Sequence, residues 1–131
     1  MGNFTLHDLE KRVQERARAS ADVSYTRRLL DHGVAHCAKK LGEEAIETVL
    51  AALAQKREPL IAETADLIYH LLVVLAARGI ALAEVEAELA RRTRQSGLEE
   101  KASRRRGRKT GSPGSRKVKR RGPASRAHEQ G

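Results

Sequence analysis

Carboxylates at helical spacing are the residues of this sequence with the most chemistry to offer. In Gly42-Glu43-Glu44-Ala45-Ile46-Glu47, the acids Glu44 and Glu47 stand one helical turn apart and Glu43 lies four residues before Glu47, so three acids share one sector of a helix. Farther on, Glu63, Asp66 and His70 follow at i, i+3 and i+7 and line up as a second stripe. Either spacing alone describes a solvated helix face. Two circumstances argue for more. Like charges at this spacing cost a helix about 0.2–0.5 kcal/mol per pair, yet no Lys or Arg lies between Leu41 and Gln55 to offset them. The second pair also sits among Leu60, Ile61, Leu67, Ile68 and the run Leu71 to Leu75. An unpaired ionised carboxylate there is costly or takes up a proton unless a cation compensates it. Glu44 and Glu47 facing Glu63 and Asp66 form an all-oxygen donor set suited to Mg²⁺, a hard ion that keeps several waters and also binds phosphate oxygens. His70 is either a hydrogen-bonded core histidine or a donor that steadies a ligating carboxylate. With one cysteine, and no serine near these acids, nucleophilic catalysis has little support.

Helices must position these groups. Thr5 followed by Asp8 resembles an N-cap with an acidic first turn, and Leu6, Leu9 and Val13 repeat at helical spacing to about Ala19. Ser24 caps a short helix from Tyr25 to His32, with Gly33 just past its end. A third helix runs from about Val34 to Lys56, its acids bordering an apolar core face of Ile46, Val49, Leu50 and Leu53. Pro59 suits the first turn of a fourth, which is apolar on nearly every side, reads as buried, and stops at Gly79. A fifth spans Leu82 to about Gln95. The expected fold is all-α, a bundle of about five helices, with a short break at Arg57–Pro59 making the acid-bearing pair antiparallel-capable.

Composition agrees. The chain has 131 residues, 40% apolar and only 2% aromatic, which favours one thin, close-packed helical domain. Cys37 is the single cysteine, so no intrachain disulfide forms; it reads as a small apolar packing residue. No secretory signal is evident at the start, and the longest apolar run, Leu71 to Ala77, is far short of a membrane span, so the expected setting is cytoplasmic with no membrane. The net charge of +9 suggests a polyanion binder until it is divided. Residues 1–100 hold 14 basic and 16 acidic side chains, net −2, whereas residues 101–131 hold 12 and one, net +11. The body is mildly acidic and the basicity belongs to the tail. Beyond Lys101 the tail is Ser, Gly, Pro, Arg and Lys with Val118 its one large apolar residue, a composition expected to stay disordered.

The order Glu43-Glu44-x-x-Glu47 then Glu63-x-x-Asp66 resembles the metal-binding signature of the all-α nucleoside triphosphate pyrophosphohydrolases. Within that superfamily, Ser24-Tyr25-Thr26, Gly33, Lys40-x-Gly42-Glu43-Glu44-Ala45-x-Glu47-Thr48 and Ala65-Asp66-Leu67-x-Tyr69-His70-Leu71-Leu72 resemble the phosphoribosyl-ATP pyrophosphohydrolase family, as do Ala76-Ala77-Arg78-Gly79-Ile80 and Ser96-Gly97-Leu98-Glu99-Glu100-Lys101. The resemblance covers about residues 5–103, which sets the expected domain at 1–103 and leaves 104–131 as a disordered basic tail. It implies hydrolysis of the α–β phosphoanhydride of phosphoribosyl-ATP to phosphoribosyl-AMP and pyrophosphate, the second step of histidine biosynthesis. It further implies that Glu44, Glu47, Glu63 and Asp66 hold Mg²⁺, that Glu43 is a further ligand or orients the attacking water, and that Lys40, with Ser24 and Thr26, meets phosphate. It implies a homodimer. One position departs from the family pattern: His36 stands where a basic side chain is expected.

Two other readings compete. One is a house-cleaning hydrolase of noncanonical nucleoside triphosphates from the same superfamily. The other, from a different class, is a helical dimerisation module whose tail coats nucleic acid through Arg104-Arg105-Arg106 and Lys117 to Arg121. The tail has no aromatic residue for base stacking, so any such binding is weak and nonspecific.

Overall fold

Local signals in the sequence account for most helix boundaries. Thr5 opens α1 (Leu6–Ala17) with a reciprocal capping box: its hydroxyl accepts from the Asp8 amide and the Asp8 carboxylate accepts from the Thr5 amide. Ser24 caps α2 (Tyr25–Asp31) by accepting from the Arg27 amide. Gly33, at φ +92°, ends that helix and starts α3 (Val34–Leu53). The turn to α4 (Arg57–Ala77) lies at residues 54–56, where Gln55 takes φ +56°, and Pro59 falls in the first turn of α4. Gly79 then closes α4 in a Schellman motif, at φ +67°, with the Ile80 amide donating to the Leu75 carbonyl over 2.9 Å. Two further helices follow, α5 (Leu82–Thr93) and α6 (Gly97–Lys109).

This computed structural model describes residues 2–95 and 97–109, and among them there are six α-helices and no strand. They fall into two units that divide between Thr93 and Arg94. In the first unit α3 and α4 form an antiparallel-type hairpin, and α1 and α2 pack on α4. The core gathers Val13 of α1, Leu29 of α2, Cys37 of α3, Leu72 and Val73 of α4, and Leu82 at the start of α5. Cys37 is a free thiol within that core, its Sγ donating to the Leu29 carbonyl. The head of α5 is tied to α1, where the Leu82 amide donates to Glu10 Oε2 at 2.6 Å and His7 Nε2 meets Glu86 Oε1 at 2.7 Å.

Two expectations are corrected. The segment from Lys101 was expected to lack order, yet α6 continues through Lys109. Arg, Lys, Ala and Glu are strong helix formers, Glu99 and Glu100 sit in the first turn where the helix dipole favours acids, and Glu100 pairs with Arg104 at 2.6 Å. Residues 110–131 lie outside the described residues. The second correction concerns the apolar faces of the hairpin. Ile46, Val49, Leu50 and Leu53, expected to face the core, are 56–74% exposed, and on α4 Ile61 and Leu71 are 56% and 41% exposed. Only His70, Leu72 and Val73 of α4 are buried. In a hairpin covered by two short helices, one side of each long helix finds no partner among the described residues.

Candidate active site

The acids of α3 and α4 meet at the hairpin's inner surface. One carboxylate oxygen from each of Glu44, Glu63 and Asp66 lies within 4.8 Å of the other two. Glu47, one turn along α3, stands close enough to both Glu44 and Glu63 to raise their carboxyls. Thr48 fixes the register of the two helices here. Its Oγ1 is 2.7 Å from the Glu44 carbonyl oxygen and 3.2 Å from that of Glu63, so one hydroxyl proton is shared between α3 and α4. Nothing in its residue type predicts the second contact; its place one turn after Glu44 is the one signal in the sequence.

Crowding shapes the electrostatics. Burial, followed by the nearby Glu47, Asp66 and Glu63, pushes the Glu44 carboxyl up to about 7. Glu63 is raised as well, first by its contact with Glu47 and then by burial. Glu44 Oε2, Glu63 Oε2 and His70 Nδ1 are buried without a hydrogen-bond partner. Buried acceptors left without donors, beside carboxylates that repel each other, call for a cation, and an all-oxygen set suits a hard divalent ion. The residues present therefore fit such a cation.

His70 closes the inner side of the cluster. It is buried, its Nε2 stands 4.0 Å from Glu44 Oε1, and it makes edge-on contacts with Tyr25 and Tyr69 at centroid distances of 6.3 and 5.1 Å. Burial and the charge of Lys40 lower its affinity for a proton, with Asp66 and Glu43 pulling the other way.

The remaining sequence candidates divide. Lys40 Nζ meets Glu43 Oε2 at 3.2 Å at the edge of the cluster, and that contact raises the lysine above its ordinary range. Glu43 thus faces Lys40 while its α3 neighbours face α4. Ser24 and Thr26, expected to touch phosphate, are buried and their hydroxyls are engaged. Ser24 Oγ donates to the Arg16 carbonyl at 2.7 Å and accepts from Arg27, and Thr26 hydrogen-bonds the Tyr69 hydroxyl. Their hydroxyls seat α2 against α1 and α4. Tyr69 was not singled out by spacing, although it adjoins His70 in sequence.

Sequence comparison follows the same residues. A match to the family described as phosphoribosyl-ATP pyrophosphohydrolase spans residues 6–93, from α1 to the end of α5. The chain belongs to the phosphoribosyl-ATP pyrophosphohydrolase family. It is 62% identical over 104 residues to phosphoribosyl-ATP pyrophosphatase 1 of Bradyrhizobium diazoefficiens, covering 79% of this chain and 98% of that protein. It is 64% identical over 102 residues to the phosphoribosyl-ATP pyrophosphatase of Azorhizobium caulinodans, covering 78% and 94%. With the Rhizobium meliloti phosphoribosyl-ATP pyrophosphatase the figures are 56% over 104 residues, 79% and 97%. The part matched to the family holds every acid of the cluster together with Lys40, while α6 lies beyond it.

Proposed function

We propose that this protein hydrolyses phosphoribosyl-ATP to phosphoribosyl-AMP and pyrophosphate, the second step of histidine biosynthesis, as a cytoplasmic Mg²⁺-dependent enzyme. The observation that carries the reading is the convergence of Glu44, Glu63 and Asp66, with Glu47 beside them, within a chain of this family. Glu44, Glu47, Glu63 and Asp66 would hold Mg²⁺. When bound, the ion supplies charge neutralisation for the phosphates and acidifies water for attack. The Glu44 carboxyl, raised to about 7 when no cation is present, gives up its proton to serve as a ligand, and Glu63, raised as well, serves beside it.

The chain's own groups do the rest. Lys40 offers a point charge to a phosphate oxygen and holds the Glu43 carboxylate at the edge of the cluster. Glu43 accepts a hydrogen bond from the attacking water and orients it. The water oxygen bonds to the α-phosphorus, the bond from the α-phosphorus to the bridging oxygen breaks, and pyrophosphate departs carrying that oxygen while the water's protons pass to the departing group and solvent. His70, its proton affinity lowered by burial, backs Glu44 and keeps bulk water from the inner side. Ser24 and Thr26 act by seating α2, and through it Tyr25, beside the site.

The exposed Ile46, Val49, Leu50 and Leu53 support a homodimer in which the two hairpins cover each other's apolar faces. α4 is long and apolar enough to cross a membrane by composition alone. Glu63, Asp66 and His70 along it, packed towards α3, favour the helix bundle. The basic segment after Ser103 serves weak, nonspecific contact with polyanions. Phosphoribosyl-AMP formation from phosphoribosyl-ATP by the purified protein with Mg²⁺, measured beside a panel of free nucleoside triphosphates, tests the reading.

A further inference from the structure

At the corner where α2 meets α3 there is a cavity of about 290 Å³ lined by Tyr25, Arg28, Leu29, His32, His36 and Lys40. Its polar wall is cationic or able to donate hydrogen bonds. The His32 and His36 rings lie 4.8 Å apart, inclined by 49°. Arg28 has no counter-ion among the described residues: Asp31, the one acid on α2, is taken by Arg27 at 2.9 Å. Leu29 seals the floor from the core side.

The cavity adjoins the carboxylate cluster. Lys40 lines it and also meets Glu43, while Tyr25 lines it and touches His70, which in turn faces Glu44. Contacts therefore run from Glu43 and Glu44 of the acidic cluster, through Lys40 and through His70 and Tyr25, to an arginine and two imidazoles. The two ends call for different ligand chemistry. The acidic end takes phosphate only through a cation, whereas the basic end takes it directly, by charge-assisted hydrogen bonds from Arg28 and donors from the imidazoles.

We propose that this cavity seats the phosphomonoester of the phosphoribosyl group, the phosphate of the substrate that is not cleaved. The assignment rests on the substrate reading above. Phosphoribosyl-ATP carries anionic groups at two separated ends, and the triphosphate is the one that a cation at the carboxylates draws in. The second end then reaches a pocket that plain ATP has nothing to fill, which is how the site distinguishes its substrate from the far commoner nucleotide. Arg28 of α2 and His36 of α3 line the same cavity, so its donors come from two helices.

Two measurements test this on the full-length protein. In steady-state assays, Arg28→Gln raises KM for phosphoribosyl-ATP about tenfold or more, the loss typical of a charge-assisted hydrogen bond, with a much smaller rise in the inhibition constant of ATP as a competitor. Arg28 and the two histidines lie at the surface or partly exposed, so the substitution leaves the core intact. An unchanged KM, or equal weakening of ATP and phosphoribosyl-ATP, overturns the assignment; the second result would give the cavity to the triphosphate. The other measurement needs no turnover. Ribose 5-phosphate, and not ribose, shifts the ring resonances of His32 and His36 in the NMR spectrum of the native protein, and Arg28→Gln suppresses the shift. Absence of that shift in a protein that cleaves phosphoribosyl-ATP sinks the subsite alone. Its presence in a protein that cleaves nothing would keep the subsite and remove the hydrolase reading.

Discussion

Thr48 of α3 lies 3.2 Å from the backbone carbonyl oxygen of Glu63 on α4, and the same hydroxyl is 2.7 Å from the carbonyl of Glu44. One side chain thus sets the register that brings acids from two helices together. Thr48→Val keeps the shape and removes the shared proton. The expected result is a loss of about 1 kcal/mol in stability, a typical net value for one hydrogen bond, with a fall of about tenfold or more in kcat as the acids drift apart. Thermal unfolding and steady-state kinetics on the same preparation check it. Unaltered kcat would mean that packing alone sets the register.

Glu63→Gln removes one charge from the cluster at nearly constant volume. Mg²⁺-stimulated turnover should fall to background, while the metal-free protein stays helical and melts no lower than the unsubstituted one, because the acids it leaves repel each other less. Circular dichroism and activity together check this. Full activity in the variant would remove Glu63 from the site.

The raised Glu44 carboxyl makes a pH prediction for the metal-free protein. Its folded value, about 7, exceeds the unfolded value of 4.5, so the folded state binds the extra proton between them. The associated stability is complete below pH 4.5 and is lost as pH rises through about 7. The melting temperature should therefore decline across that window in chelator and be restored by Mg²⁺ at the upper end. Glu44→Gln should flatten the decline.

Leu50 is 60% exposed on the apolar face of α3. A charge placed there does not disturb the chain's own core but does oppose a covering partner. Native protein should sediment at the mass of two chains and Leu50→Glu at that of one. A native monomer would contradict the dimer and leave the apolar face unexplained.

Much of the site was legible because acids on helices report their geometry through sequence spacing. Spacing alone places Glu44, Glu63 and Asp66 on two adjoining helices, and Thr5, Ser24 and Gly33 mark the starts of α1, α2 and α3. Burial was less legible. An apolar stripe such as Ile46, Val49, Leu50 and Leu53 signals only that something covers it, without saying whether the cover belongs to the same chain. Hydroxyls are harder still, since Ser24 and Thr26 look alike whether they face a ligand or cap and brace a helix. The α6 helix was hidden by composition, because a highly charged run suggests disorder although its residues are good helix formers.

The central claim is tested most directly by product analysis. Purified full-length protein is incubated with Mg²⁺ and phosphoribosyl-ATP, and in parallel with ATP, dATP, ITP and dUTP, with phosphoribosyl-AMP, nucleoside monophosphates and pyrophosphate quantified. The account predicts equal amounts of phosphoribosyl-AMP and pyrophosphate, abolished by chelator, at a kcat/KM at least about a hundredfold above that for any free triphosphate. Equal or faster cleavage of a free triphosphate, or no phosphoribosyl-AMP at all, would contradict it.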